Sequence, residues 1–526
     1  MPPEMRMSLT CTFVLSRDCE EAKETVEKFV KEANKTLLMK GAPPEREKEA
    51  AQIVDWTLKG SNFTMTIESG TYVRATAAVL RIRKNLAPQL GRRFKIGIRT
   101  LNVTSFTVLI PFTQTPSQEM VDRLEALPGI RSVDVEQDYL HLVFNPFSES
   151  ELKQNIPDRI VSLAESMLEK VGYAEVKAVP KVKKLPVIKQ GPQKTIEFNR
   201  DPVEVALELG WIKEFPGRGQ WIYTVPYARL YEIIKSILIK GVAEKLGFEP
   251  FLLPKLISFD VMKKMPGYLD DIPEGMYYVC PPPRDPEAFL RFKELFKVRK
   301  KVPIEELKRV LKGPAYVLAP AQCEPFWQFY GHEIVRVEDL PFKYYDCSGW
   351  TYRWEGGGVE GLIRIQEFQR IELTYLGTVE QVVDIRDRVV DECVRVADKL
   401  LDLEWRVTVA TPFYMRGAEL PTDISDSRNV SAYDIEIYLP YRGPRETSEW
   451  LEVAGCFVHK KKFIDSFKIR EAKGREIWTG CTGLGLSRWV AAFLAEHGFN
   501  KDDWPKKIRE SFGDFTLPKT LLWPKR

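Results

Sequence analysis

Arg353, Glu355, Arg364 and Phe368 fall within one stretch, Trp350-Thr-Tyr-Arg353-Trp-Glu355-Gly-Gly-Gly-Val-Glu-Gly361-Leu-Ile-Arg364-Ile-Gln-Glu367-Phe368-Gln-Arg-Ile-Glu372. A guanidinium offers a planar fork of donors to phosphate or carboxylate oxygens, and glycines let a ligand approach the backbone closely. Glu355, two residues after Arg353, shares its strand face and can accept from an amino group such as adenine's. Phe368 can stack on a base. The set could therefore hold a polyanion, though the same residues also suit a surface hairpin whose charges are simply solvated.

The elements that must position these groups are short. Apolar and aromatic residues on either side of the glycines predict two strands joined by a flexible loop, with Arg353 and Arg364 on its two sides. Further along, Trp405–Ala410 and Tyr433–Leu439 read as strands. The polar loop between them, from Thr411 through Asp423, Asp426 and Arg428, is long enough to close on a ligand. Ser448 to Cys456 reads as another strand with Glu452 near its start. Trp489 to His497 reads as an apolar helix, and Tyr227 to Leu246 as a longer one. The eight cysteines show no Cys-x-x-Cys pair, and the four histidines are far apart. Spacing alone therefore assigns no metal site, and buried thiols are the ordinary expectation.

Three segments share a wider pattern. Arg353-Trp-Glu355, the glycine loop, Gly361-Leu-Ile-Arg364 and Glu367-Phe368 through Glu372 resemble the second signature motif of class II aminoacyl-tRNA synthetases, in its seryl form. Gly247-Phe-Glu-Pro-Phe-Leu-Leu-Pro254 resembles the first motif, whose proline lies at a dimer interface, and Gly483-Leu-Gly-Leu-Ser-Arg488 resembles the third. Cys323, Glu372 and Cys481 resemble the zinc ligands of the type 2, methanogenic form of seryl-tRNA synthetase. A cysteine in Ala321-Gln-Cys323-Glu-Pro stands where common seryl enzymes have a threonine-containing motif.

The resemblance implies that ATP with Mg2+ activates L-serine, and that the seryl group passes to tRNA(Ser), with tRNA(Sec) a family expectation. Arg353 would bridge α-phosphate and serine carboxylate, and Arg364 would lie toward the outer phosphates. Arg488 would bind the γ-phosphate and cover adenine opposite Phe368. Glu355 and Glu367 would belong to the ATP site, and Glu452 would hold magnesium. One Zn2+ per subunit, on Cys323, Glu372 and Cys481, would take the serine amine beside Gly455. Ala454-Gly455-Cys456-Phe457 departs from the serine-rich stretch of the wider family, which leaves the hydroxyl contacts open. An amino acid:carrier-protein ligase with the same adenylation core, and an RNA-binding paralogue without activity, are the competing readings.

At 526 residues the chain is expected to form more than one domain. An apolar fraction of 44% marks a folded protein, and no apolar run reaches the length of a membrane span. With no apolar leader after Met1, the expected location is the cytoplasm, without membrane attachment. A net charge of +4 is nearly neutral for this length, so nucleic-acid contact must come from local patches.

The expected fold is α+β. Residues 1–172 form an antiparallel-sheet and helix domain, which the resemblance makes tRNA-binding. Its strands are read at Leu9–Leu15, Asn62–Ile67, Arg93–Ile98, Thr104–Ile110, Ser132–Glu136 and Tyr139–Phe144. Its helices are read at Cys19–Met39, after Pro43-Pro44, at Thr71–Leu86, Ser117–Leu127 and Pro157–Val171. Arg81, Arg83, Lys84, Arg92, Arg93, Lys95 and Arg99 crowd a helix end and the strand after it, as phosphate contacts or as a solvated face. Residues 173–194, rich in lysine and proline, read as a stiff basic linker. Residues 195–526 form the catalytic domain, an antiparallel sheet flanked by helices. Within it, 281–314 is a helix-turn-helix-like insertion around Arg299-Lys300-Lys301. The chain is expected to be a homodimer.

Overall fold

The computed structural model describes residues 4–43, 46, 49–174, 186–354, 358–411, 423–448, 450–518, 520 and 523. They divide into two compact units, Met1–Lys183 and Lys184–Arg526.

In the first unit, alternation sets the sheet. β1 (Arg6–Leu15) buries Met7, Leu9, Cys11, Phe13 and Leu15, and the residues between them face outward. α1 (Lys23–Glu32) follows, then β2 (Gln52–Lys59), β3 (Asn62–Ser69), α2 (Ala75–Phe94) and β4 (Ile98–Pro111). α3 (Gln118–Glu125), β5 (Ile130–Glu136), β6 (Tyr139–Phe144), β7 (Phe147–Ser148) and α4 (Ile156–Ala174) complete it. The strands lie in the order β2-β3-β1-β4-β6-β5, all antiparallel, with β7 also on β4. On the outward face Thr10 meets Thr66 and Thr12 meets Thr64 through their hydroxyls, at 3.1 and 2.9 Å.

The helix expected after Pro43-Pro44 falls on a stretch of which residues 44, 45, 47 and 48 lie outside those described; β2 follows it, with its alternation broken by a register shift between Ile53 and Asp55. Of the strand expected at Arg93–Ile98, Arg93 and Phe94 are instead the end of α2, which continues through Pro88 before Lys95 turns left-handed (φ +56°), and Ile98 is the first residue of β4. Arg81, Arg83, Lys84, Arg92 and Arg93 therefore share one helix. Arg83 pairs with Glu149, and Arg81 donates to the Lys40 carbonyl.

The second unit is built on eight strands. β8 (Val187–Gln190), β9 (Glu249–Pro250), β10 (Phe342–Asp346), β13 (Ile371–Gly377), β14 (Trp405–Ala410), β15 (Ala432–Ile437), β16 (Leu451–Lys460) and β17 (Trp478–Leu484) run in the order β9-β10-β13-β17-β16-β15-β14-β8. Between β10 and β13 the chain makes a separate two-stranded hairpin, β11 (Trp350–Tyr352) with β12 (Glu367–Gln369). All neighbours in the eight-stranded sheet are antiparallel except β9 and β10. β8 falls inside the stretch read as linker. Its Val187 and Lys189 pair with Thr408 and Val407, and as an edge strand it tolerates the flanking prolines.

α5 (Val225–Leu238), α9 (Val379–Arg395) and α10 (Leu486–His497) cover one face of this sheet, where Leu373, Tyr375, Val453, Trp489 and Phe493 share a core. Thr378 caps α9, accepting from the Gln381 N–H at 3.3 Å. The insertion contains α6 (Leu290–Arg299) and α7 (Ile304–Val310), and α8 (Glu324–Phe329) follows Cys323. Period-2 alternation turns Glu372, Thr374 and Cys481 to the face opposite the helices. No described helix is long and apolar enough to cross a membrane.

Candidate active site

Two adjoining cavities open on that second face. One, of about 120 Å³, is lined by Arg353, Arg364, Phe368, Glu452 and Arg488 together with Arg370 and Gly483. The other, of about 250 Å³, is lined by Cys323, Cys481, Gly455, Phe457, His459 and Asp434. Arg353, Arg370, Glu452 and Gly483 border both.

The first cavity depends on the β11–β12 hairpin. The Arg353 N–H donates to the Gln366 carbonyl at 2.9 Å, and Thr351 opposes Phe368. A bridge between Glu360 and Arg364 folds the loop between the strands. Arg488, on the first turns of α10, donates from Nε to the Ile363 carbonyl at 3.0 Å and from Nη1 to Glu452 Oε2 at 3.2 Å. Glu367 faces elsewhere: it accepts from Gln220 at 2.8 Å and lines neither cavity. Glu355 and residues 412–422, part of the loop read as able to close on a ligand, lie outside the described residues.

The second cavity ends at the thiols of Cys323 and Cys481, with the buried Glu372 beside them. Cys323, Glu372 and Cys481 place one candidate ligand atom each within 4.8 Å of one another. Register explains the approach: Glu372 pairs with Gly483 and Thr374 with Cys481, so a carboxylate and a thiol from neighbouring strands come side by side. Cys323 is brought in by a turn held at Gln322, which is fully buried with φ +83°. The Gln322 amide donates to the Asp346 carbonyl at 2.9 Å, and its oxygen accepts from Thr351 at 3.1 Å. Glu324 fastens the same turn by accepting from the Ala321 N–H at 2.8 Å.

The charges fit a cation. Arg370 Nε donates to Glu372 Oε2 at 2.8 Å, while Glu372 Oε1 is buried with no hydrogen-bond partner among the described residues. Burial raises the Glu372 pKa against the pull of Arg370. A hydrogen bond with Cys323 and burial raise the Cys481 thiol well above the ordinary thiol range. Burial pulls the Arg370 pKa down, and the charges of Glu372 and the cysteines beside it more than offset that. Two sulfurs and one orphaned carboxylate oxygen form a donor set suited to zinc, with a position left for a ligand.

Sequence reasoning passed over Arg370, Asp434 and His459. Asp434, opposite Gly455, has a strongly raised pKa because it is buried beside Glu452 and Glu436. His459 lies 3.3 Å from Cys481 Sγ, and burial pushes its pKa down to about 3. Alternation along β16 puts Gly455 and Phe457 on one face, but a register shift between Val458 and Lys460 leaves His459 outside that pattern, so the chain carries no local signal for it. Gly455 has no side chain to offer a ligand, and a Cβ there would stand 2.8 Å from the Phe457 ring.

Comparison with known proteins agrees with this geometry. Residues 5–166 match a family described as a tRNA-binding domain, and residues 309–497 match the class II tRNA synthetase core domain (G, H, P, S and T). A type-2 serine–tRNA ligase of Methanopyrus kandleri is 42% identical, over 99% of this chain and 100% of its own length. One from Methanocaldococcus jannaschii is 40% identical over 96% of each chain. The crystal structure of M. kandleri SerRS in complex with A. aeolicus tRNASec superposes with a TM-score of 0.79, at 40% identity, covering 99% of this chain and 100% of that one. A cytoplasmic serine–tRNA ligase of Naegleria fowleri, 14% identical with a TM-score of 0.50 over 69% of this chain and 71% of its own, shares the fold. An antiparallel class II core carrying the three signature motifs, an N-terminal tRNA-binding domain and full-length identity of about 40% leave one assignment: the chain belongs to the type-2 serine–tRNA ligases.

Proposed function

We propose that this chain activates L-serine with ATP and Mg2+ in the two adjoining cavities, then transfers the seryl group to tRNA(Ser) and tRNA(Sec). The observation that carries this reading is the shared border of the cavities. Arg353 and Arg370 stand where a nucleotide in one and an amino acid in the other would bring α-phosphate and carboxylate together. The attacking carboxylate is ionised at neutral pH, so no general base is required. Charge develops on the α-phosphate and on pyrophosphate, and fixed guanidinium groups are suited to stabilising it.

Arg353 is assigned to the α-phosphate and serine carboxylate, Arg364 to the outer phosphates, and Phe368 with Arg488 to the two faces of adenine. Glu355 is assigned to the adenine amino group. Arg488 and Glu452 pair with each other here; ATP would separate them, Arg488 turning to phosphate and Glu452 to magnesium. Cys323, Glu372 and Cys481 are the proposed zinc ligands. The ion, when bound, supplies a Lewis-acid hold on the neutral serine amine. Arg370 orients Glu372 and opposes the burial that raises its pKa. Phe457 bounds the space left for a side chain.

Residues 1–172 are proposed to grip tRNA, with the basic residues of α2 as phosphate contacts. The protein is placed in the cytoplasm as a homodimer joined through the segment ending at Pro254, where Leu252 is 85% exposed. The test is ATP–pyrophosphate exchange across all amino acids, with metal analysis of the same sample and charging of tRNA(Ser). Exchange specific to serine, with one zinc per subunit, supports the reading. Loading of a phosphopantetheinyl carrier protein with tRNA left untouched would overturn it in favour of a carrier-protein ligase.

A further inference from the structure

Beside the zinc ligands stands a buried side chain that the chemistry above leaves unused. His459 occupies a bulge in β16: Val458 pairs with Gly480 and Lys460 with Thr479, so His459 is the extra residue, and Lys460 takes φ +54°. Such a bulge turns a side chain out of the regular ladder and aims it at a neighbour. The neighbour is β17. His459 Nε2 lies 3.3 Å from Cys481 Sγ, and Nδ1 lies 3.2 Å from the hydroxyl of the fully buried Thr479. Two aromatic rings hold the imidazole in that direction. Trp327 stands edge-on at 5.5 Å and Phe463 at 4.4 Å.

We propose that His459 is a positioning residue for Cys481, donating its Nε2–H to the ligating sulfur and so governing how firmly zinc, and through it serine, is held. The inference rests on the zinc reading of the site. A thiolate can only accept a hydrogen bond, so the proton must sit on Nε2. A neutral imidazole then has a bare Nδ1, and the Thr479 hydroxyl is placed to donate to it. The chain Thr479–His459–Cys481 thus has a single consistent direction. A donated hydrogen bond draws electron density from the sulfur, stabilises the thiolate and fixes the orientation of its lone pairs. Partners of this kind behind a metal ligand typically change metal affinity about 10–100-fold. His459 is not itself one of the three groups whose ligand atoms lie within 4.8 Å of one another. Its place is behind the sulfur.

The test compares the full-length wild type with His459→Phe, His459→Gln and Thr479→Val. Each is loaded with zinc for release to a chromophoric chelator, and with cobalt(II) for the thiolate-to-metal charge-transfer band. His459→Phe is expected to release zinc about 10–100-fold faster. It should also move the cobalt band to lower energy and raise the KM for serine more than it lowers kcat. His459→Gln, which can present an amide N–H to the sulfur, should recover most of the loss. Thr479→Val, which frees the tautomer, should fall between. Zinc release within about twofold of wild type in His459→Phe, with an unshifted band, overturns the inference. If that variant does not fold, Thr479→Val decides: release within about twofold of wild type overturns it as well. A direct nitrogen–metal bond in the X-ray absorption spectrum of the cobalt wild type also overturns it. Absence of any charge-transfer band in the wild type instead removes the zinc reading, and this inference with it.

Discussion

Glu372 and Arg370 form an ion pair whose side chains are 1% and 17% exposed, and a double-mutant cycle on them separates structure from chemistry. Glu372→Gln in metal-stripped protein leaves a guanidinium without its countercharge. Arginine cannot escape by losing a proton. Breaking a buried pair typically costs about 3–5 kcal/mol, and the partial exposure of Arg370 points to about 3. Arg370→Met leaves a carboxylate that can neutralise itself by taking up a proton, so about 2 kcal/mol is expected. Additive losses would put the double variant about 5 kcal/mol below wild type. Since a buried pair replaced whole is often nearly neutral, the double variant should instead lie within about 1 kcal/mol. Urea unfolding followed by tryptophan fluorescence reads this, because every tryptophan except Trp56 lies in the second unit. The restored stability should not restore zinc binding or serine activation, since a ligand is gone. Additivity to within about 0.5 kcal/mol would show that the pair is not coupled and would refute the electrostatic account of the site.

Cys481→Ala should bring zinc content near zero and abolish serine-dependent pyrophosphate exchange; full exchange by a zinc-free variant would remove the metal from the mechanism. Gly455→Ala should force the Phe457 ring, 2.8 Å from the new Cβ, into the cavity and raise the KM for serine at least about tenfold, while KM for ATP stays within about twofold. Equal changes in both constants would sink that reading. Glu471 accepts from Arg475, at 2.7 Å to the side chain, and from the Lys473 and Arg475 N–H groups, which lower its pKa from 4.5 to about 2. A lowered carboxylate contributes stability that is complete above the ordinary pKa and disappears as pH falls from about 4.5 toward 2. Glu471→Gln should therefore flatten the acid limb of the stability–pH curve, and an unchanged acid limb would contradict the assignment. Deleting residues 1–172 should spare adenylate formation and cripple tRNA charging. The cut must stay ahead of β8, which belongs to the second sheet, and undiminished charging would refute the division of labour.

What could be read from the chain was local. The β11–β12 hairpin, α3, β14 and α10 announce themselves because alternation, a cap or an apolar stripe lies within a few residues. β2 does not, because the register shift at Ile53 breaks its period. The length of α2 was hidden by Pro88, which reads as a stop and is tolerated inside the helix. β8 was concealed by its lysines and prolines, which an edge strand can carry. At the site, the resemblance named Arg353, Arg364, Phe368, Glu452 and Arg488, which the fold gathers around one cavity, and Glu367, which accepts from Gln220. Arg370, Asp434 and His459 depend on which strands are neighbours, and that order, β13-β17-β16-β15, is not written in any one segment.

The same order explains what the substrate amino acid would rest on. Across four strands runs one row, Glu372, Gly483, Gly455 and Asp434, each paired with the next. Two glycines between two carboxylates leave a bare floor. Neither glycine has a positive φ, so backbone strain does not require them; space does. A Cβ on Gly483 would come within 3.2 Å of the Arg370 guanidinium, and one on Gly455 would strike Phe457. The floor is thus walled by Arg370 at the Glu372 end and by an aromatic ring along its side, in the next row with Cys481. A wall of packing discriminates against one added methyl group by only about 1–3 kcal/mol. Rejection of threonine by this pocket should accordingly be modest unless a polar group also reads the hydroxyl. Asp434 and Glu452 both line this cavity, and Asp434, at the far end of the glycine row and paired with Gly455, is the one placed to do so. Asp434→Asn should narrow the ratio of serine to alanine activation in pyrophosphate exchange, and an unchanged ratio would return the selection to shape alone.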